Sequence, residues 1–343
     1  MPGASINPAP EIQIVAPARL HMGFIDLGGA LGRRFGSIGV GVNEIATRLS
    51  LHPSDSLEAE GPGAARALRA ARAVCAHLRI PCAGAITIHE AIPEHVGLGS
   101  GTQMALAVAV GMARLHGVEL SARDAAQAIE RGARSGIGIA VFEQGGLILD
   151  GGRGPHTVTP PVISRLAMPQ SWRFILIFDQ RGQGLHGKPE VSAFESLPPF
   201  PQALAARLCH RLLMQALPAL AEGDIVNFGA VITELQQAVG DHFAPAQGGR
   251  FTSPEVGAAL DWLGAEGAVG LGQSSWGPTG FCLLDSADLA AKLQAGAAQR
   301  FQGLDFVLAS ARNCGAEVQI QGADSSGRSE SAEPRTRVAS GAA

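Results

Sequence analysis

Residues 93–107, PEHVGLGSGTQMALA, set three glycines and a serine between a strand-like run, GAITIHEAI, and a helix-like run that continues to about His116. A strand, a glycine loop and a helix in that order gather backbone N–H groups at a helix N-terminus. Its partial positive charge favours an anion by about 0.3–1 kcal/mol. Gly97, Gly99 and Gly101 permit close approach of a ligand to the backbone, with Leu98, Ser100 and Thr102 completing the cradle. Two common phosphate loops are excluded. A P-loop requires Gly-Lys-Ser/Thr, whereas Ser100 is followed by Gly101 and Thr102, and the Gly-x-Gly-x-x-Gly dinucleotide spacing also fails. Taken alone, the loop is either an anion cradle or a tight turn whose glycines serve packing.

The rest of the chain narrows the class of protein. Its 343 residues suffice for about two domains. With 46% hydrophobic and 16% charged residues the composition is that of a soluble globular protein, and a net charge of −4 offers no general basic surface for nucleic acid. The start, MPGASINPAPEIQIV, has neither a basic nor an apolar targeting region, so a cytoplasmic protein is expected. No run of 18 apolar residues suggests a membrane span. Five cysteines match no zinc or redox spacing, and their odd number argues against a disulfide framework. Only two lysines occur, Lys188 and Lys292, so an anion site would rely on arginine forks.

Residues 1–10 are expected to be a flexible N-terminus and 323–343 a disordered polar tail. The folded part divides near residue 165 into an N-terminal domain, 11–165, and a C-terminal domain, 166–322. EIQIVAPARLHMGF reads as a strand with Leu20, Met22 and Phe24 on one face and Arg19 and His21 on the other. Ser121 with Asp124 marks a helix start, Ser253 another, and AVFEQGGLILDGG reads as a hairpin turning at Gly145-Gly146. WRFILIFD is a short buried strand, two helical stretches fill about 200–240, and AVGLGQSSWGPTGFCLL carries a second glycine loop. Strands and helices do not alternate regularly, which points to an α+β class.

PEHVGLGSGT resembles the second motif of the GHMP kinase superfamily, Pro-x-x-x-Gly-Leu-Gly/Ala-Ser-Ser, while PARLHMGFIDLGG and GLGQSSWGPTGF stand where that superfamily has its N-terminal motif and its C-terminal glycine loop. The resemblance implies a two-domain fold, S5-like then ferredoxin-like. Superfamily kinases with a catalytic base carry it as the aspartate of a Ser-Gly-x-Asp segment. The corresponding RSGIGIAVFEQGG has Gly138 there, which removes that route to hydroxyl activation. ARLHMGFIDLGGALGRRFGSIGVGV, RSGIGIAVFEQGG and GQSSWGPTG together look like the beta-ribofuranosylaminobenzene 5'-phosphate synthases, a family of this fold.

That resemblance implies a cytoplasmic homodimer that condenses phosphoribosyl pyrophosphate with 4-aminobenzoate or 4-hydroxybenzoate, releasing carbon dioxide and pyrophosphate, in tetrahydromethanopterin biosynthesis. It also implies magnesium on the pyrophosphate, with Ser100 and Glu130 as candidate ligands. Asp26, Arg33 and His21 are the candidate catalytic residues. Asp26 either faces the developing positive charge or caps the turn before Gly28. Arg33 and Arg34 fork onto phosphate oxygens or are surface charges. Arg19 and His21 line the site or hold the strand edge. His186, Lys188 and Glu190 in LHGKPE are a phosphate or carboxylate contact or an ordinary loop. Ser274, Ser275 and Trp276 close over the substrates, unless Trp276 is a core residue. An ATP-dependent small-molecule kinase and a non-catalytic sugar-phosphate or nucleotide sensor are the competing classes.

Overall fold

The computed structural model describes residues 11–179, 181, 197–275 and 277–321. The expectations placed on residues 1–10, His186, Lys188, Glu190, Trp276 and the tail at 323–343 lie outside the described residues.

The chain opens with two long antiparallel strands, β1 (Glu11–Asp26) and β2 (Phe35–His52), followed by β3 (Leu57–Glu60), α1 (Ala64–Leu78) and β4 (Gly84–Glu90). The glycine loop then leads into α2 (Ser100–Leu115), α3 (Ala122–Ala128), α4 (Ile137–Glu143), β5 (Leu147–Asp150) and β6 (Val162–Leu166). β1 is not a plain alternating strand. Its register against β2 shifts between His21 and Gly23, so Leu20, His21, Met22, Gly23 and Phe24 are all buried. A bulge of this kind overrides the two-residue period of the side chains. The proposed exposed face bearing His21 is therefore replaced by a core position.

β7 (Arg173–Asp179) starts the second unit. It is followed by α5 (Gln202–Arg211), one π-helical stretch at Leu212–Ala216, α6 (Leu217–Glu222), α7 (Ile225–Gln247) and α8 (Pro254–Ala265). β8 (Val269–Gln273), β9 (Gly280–Leu284), α9 (Ala287–Arg300) and β10 (Leu304–Ala309) complete it. The four strands pair antiparallel in the order β10-β7-β9-β8, with helices between the first and second and between the third and fourth. This is the split β-α-β of the ferredoxin-like fold. The α+β expectation is met.

Two sequence expectations are corrected. β11 (Glu317–Gln321) pairs with β1, so the chain re-enters the first sheet after the ferredoxin-like unit and the C-terminal domain does not run unbroken to residue 322. AVFEQGGLILDGG is not a hairpin: its first arm is α4, and Gly145 and Gly146, at φ 63° and 81°, turn the chain from that helix into β5. Ile137 to Phe142 are buried on every side, so their apolar run carries no helical periodicity to read. The two units share one hydrophobic core in which Leu20, Met22 and Phe24 of β1 meet Phe174, Phe228 and Leu235. A shared core of this kind fixes the crevice between the units.

Candidate active site

The three stretches singled out in the sequence meet at one point. Gly97 and Gly99 adopt left-handed backbone at φ 90° and 80°, and a Cβ on Gly97 would lie 2.1 Å from the carbonyl oxygen of Ser274. Only glycine fits there. Arg19 of β1 donates its backbone N–H to the carbonyl of Leu98 at 3.1 Å and a guanidinium N–H to that of Gly97. Ser274 Oγ donates to the same Gly97 carbonyl at 2.8 Å and accepts the His21 N–H at 3.0 Å. Ser275, at φ 55°, donates its N–H to the carbonyl of His21 at 3.3 Å. Gly277 packs on Val96, leaving 2.3 Å between a would-be Cβ and the Val96 carbonyl. Strand β1 and the two glycine loops are thus one hydrogen-bonded body. No side chain caps α2, whose N-cap is Gly99. Beyond Gly101 the nearest group is a guanidinium nitrogen of Arg66, itself paired with Glu94 at 2.7 Å.

Gly138 sits on α4 against the first turn of α2. A Cβ on Gly138 would stand 3.2 Å from Thr102 Cγ2, and the Gly138 carbonyl accepts from Gln103 Nε2 at 2.8 Å.

Asp150, at the end of β5, is a hub the sequence did not reveal. It is 1% exposed and accepts from Ser37 Oγ (2.7 Å), Ser37 N (3.2 Å), Gly136 N (2.9 Å), Ser135 Oγ (3.2 Å) and Gly152 N (2.9 Å). Burial pushes this carboxyl up, while the hydroxyls and backbone N–H groups around it pull it back down. Each segment it fixes adjoins an arginine: Arg134 precedes Ser135, Arg153 follows Gly152, and Arg34 exchanges two backbone hydrogen bonds with Arg153, at 2.9 and 2.8 Å. Those three arginines, with Phe35 and His242, line a cavity of about 950 Å³ bounded by the β1–β2 turn and by residues 197–200. Burial holds the imidazole of His242 below its ordinary value.

Several candidate roles are corrected by this geometry. Asp26 Oδ1 accepts the N–H groups of Gly28 and Gly29 at 2.8 and 2.9 Å, which is the turn role. Arg33 spends its fork on the chain itself, donating Nε to the Gly151 carbonyl and Nη2 to that of Gly152, both at 2.8 Å. Ser274 is fully buried and its hydroxyl is used twice by backbone, so it positions the loops instead of touching substrate. His21 is 2% exposed, and neither ring nitrogen has a hydrogen-bond partner among the described residues. Burial, reinforced by the charges of Arg19 and Arg134, lowers its pKa to about 3. A neutral imidazole closed off from solvent is no ready acid or base. Arg34 does line the large cavity, with Nε on the Leu27 carbonyl at 3.2 Å and its guanidinium carbon 5.5 Å from the Phe35 ring centre. Glu130 lines a neighbouring cavity of about 470 Å³ that shares Arg153 with the first. Arg134, Arg153, His242 and Asp150 were missed. The glycine-bounded Arg153 in LDGGRG carried the same signal that drew attention to Arg33 and Arg34.

The S5-like and ferredoxin-like units, with an uncapped helix at a glycine loop, define a GHMP-fold protein. The model of the GHMP kinases N terminal domain matches residues 65–146 and that of the GHMP kinases C terminal residues 216–303. The galactokinase of Lactococcus lactis, solved with galactose, superposes with a TM-score of 0.66 over 90% of this chain and 95% of its own, at 13% identity. Sequence relatives are more specific. The beta-ribofuranosylphenol 5'-phosphate synthase of Methanothermobacter thermautotrophicus is 34% identical over 80% of this chain and 89% of its own. That of Archaeoglobus fulgidus is 30% identical over 90% of this chain and its whole length. The chain belongs to the beta-ribofuranosylphenol 5'-phosphate synthase family.

Proposed function

We propose that this protein joins phosphoribosyl pyrophosphate to a para-substituted benzoate, giving an aryl C-riboside 5'-phosphate, carbon dioxide and pyrophosphate, as a step in tetrahydromethanopterin biosynthesis. The observation that carries this reading is Gly138. Where a superfamily kinase would hold a carboxylate to deprotonate a hydroxyl, α4 instead packs a glycine on Thr102. The nucleophile of the condensation is a ring carbon, not a hydroxyl oxygen that a base at this position would have to deprotonate. The ring carbon bearing the carboxylate attacks the anomeric carbon, the anomeric C–O bond breaks, and pyrophosphate leaves with its electron pair. The bond to the carboxylate carbon then breaks, its pair returns to the ring, and carbon dioxide departs. The relatives are named for a ribofuranosylphenol, which favours 4-hydroxybenzoate over 4-aminobenzoate as the arene.

The task left to the protein is electrostatic. The start of α2, which no side chain caps, would receive the pyrophosphate at Ser100, Gly101 and Thr102, with Arg66 beyond Gly101. Magnesium would neutralise part of its charge, and Ser100 and Glu130 are the protein oxygens proposed for it. Among the described residues no three His, Cys, Asp or Glu side chains are grouped to hold a metal. The test is carbon dioxide release from carboxyl-labelled 4-hydroxybenzoate and 4-aminobenzoate, with and without phosphoribosyl pyrophosphate. Release that depends on the donor is expected. No release from either arene by folded protein would overturn the reading, and ADP formation with a hydroxylated metabolite would return the chain to the kinases.

A further inference from the structure

The large cavity carries a cationic lining with no opposing acid. Arg34, Arg134 and Arg153 face it, and no aspartate or glutamate among the described residues lines it. Asp150 and Asp26, carboxylates close to lining residues in the chain, are engaged elsewhere: Asp150 by backbone N–H groups and serine hydroxyls, and Asp26 Oδ1 by the N–H groups of Gly28 and Gly29. Arg153 is exposed, and its guanidinium makes no ion pair or side-chain hydrogen bond among the described residues. Its backbone is nevertheless fixed, by the paired hydrogen bonds with Arg34 and by the Asp150 contact to Gly152. A fixed arginine with an unused fork, beside two more, is suited to a phosphate oxygen pair.

We propose that Arg153, with Arg34 and Arg134, clamps the phosphate monoester of a sugar phosphate. Given the reaction proposed above, on which the choice of ligand rests, that group is the 5'-phosphate of the donor. Two features of the proposed reaction separate it from the other anions, and one observation separates Arg153 from its neighbour. The pyrophosphate has its own cradle at α2. The arene carboxylate must leave as carbon dioxide, and a bidentate arginine would stabilise the charge that has to be lost. Arg33, the neighbour with the same sequence signal, already has its fork on Gly151 and Gly152. A volume of about 950 Å³ leaves space for ribose and arene beside the phosphate.

The test is calorimetric titration of the purified full chain with ribose 5-phosphate and, separately, with inorganic pyrophosphate, at fixed ionic strength, for the wild type, Arg153→Met and Arg153→Lys. Ribose 5-phosphate should bind the wild type and weaken about 10- to 100-fold in Arg153→Met, the range for losing charge-assisted hydrogen bonds. Arg153→Lys should recover part of that loss, because it restores the charge without the fork. Pyrophosphate affinity should change much less than ribose 5-phosphate affinity in either variant, since Arg153 is no part of the α2 cradle and salt weakens the effect of a charge the ligand does not touch. A wild type that ignores ribose 5-phosphate overturns the clamp. So does an Arg153→Met that loses both ligands equally or neither, or one whose Tm falls along with binding. The readout requires no turnover. Binding as described without carbon dioxide release would refute the reaction and leave the clamp, whereas donor-dependent release with unaltered ribose 5-phosphate binding in Arg153→Met would do the reverse.

Discussion

Ser274 Oγ bridges Gly97 and His21, donating to the carbonyl of one at 2.8 Å and accepting the N–H of the other at 3.0 Å. These residues are 177 and 253 positions away in the chain, and the bridge ties both glycine loops to β1. Ser274→Ala removes the bridge and leaves the His21 N–H buried without its acceptor. It should lower unfolding stability by about 1–3 kcal/mol, the cost of an unsatisfied buried group. It should also weaken pyrophosphate, because the cradle depends on the placement of Gly97. Denaturant unfolding and a pyrophosphate titration check the two effects. Lost pyrophosphate affinity with unchanged stability would instead make Ser274 a direct ligand.

The parts of this junction that were legible in the sequence are those where a single position has to be a particular residue. Gly97 could be read because the close approach of Ser274 admits no side chain, and Ser121 and Ser253 because an N-cap is a local bond. Asp150 could not be read. Its partners lie as far as 113 residues away, and LILDGG looks like any strand running into a turn. His21 misled for a related reason: alternation places it on an open face, and the bulge at Gly23 returns it to the core. β11 was missed because an alternating edge segment does not announce which sheet it joins. Arg33 and Arg153 share one sequence signal, and only the carbonyls of Gly151 and Gly152 distinguish them.

The buried His21 gives the protein a pH dependence with a definite sign. Its folded pKa is about 3 and the ordinary value is 6.5, so between those limits the unfolded chain binds a proton that the folded chain refuses. Stability from this residue is complete above about pH 6.5 and falls as the pH is lowered toward 3. Between pH 7.5 and 4.5 the loss should be about 2–3 kcal/mol. Unfolding curves of the wild type and His21→Gln at several pH values isolate it: the variant should show a shallower decline over that interval. Parallel declines would mean that His21 is charged or open to water in the folded protein.

Asp150→Asn keeps the volume and removes an acceptor. The carboxylate oxygens serve five donors from Ser37, Ser135, Gly136 and Gly152, and an amide nitrogen in place of one oxygen turns acceptance into a clash of donors. We expect a stability loss of about 1–3 kcal/mol. Ribose 5-phosphate affinity should fall too, although Asp150 lies outside the cavity, because the segments bearing Arg34, Arg134 and Arg153 lose their common anchor. A stable variant with unaltered affinity would show that the arginines hold their places without it.

Arg33→Gln distinguishes a buttress from a phosphate ligand. In the structure Arg33 donates to Gly151 and Gly152 from an exposed position, and exposed hydrogen bonds contribute about 0.5–1.5 kcal/mol each. The variant should lose about 1–2 kcal/mol of stability and retain its turnover within about threefold once the temperature is kept well below its Tm. Arg153→Met should show the opposite pattern, with stability kept and the KM for the phosphoribosyl donor raised. The two arginines flank the same glycine turn and carry the same charge, so a general electrostatic contribution would affect both variants alike. A drop of 100-fold or more in kcat for Arg33→Gln, with the fold intact, would show that its fork leaves the carbonyls for substrate phosphate during the reaction.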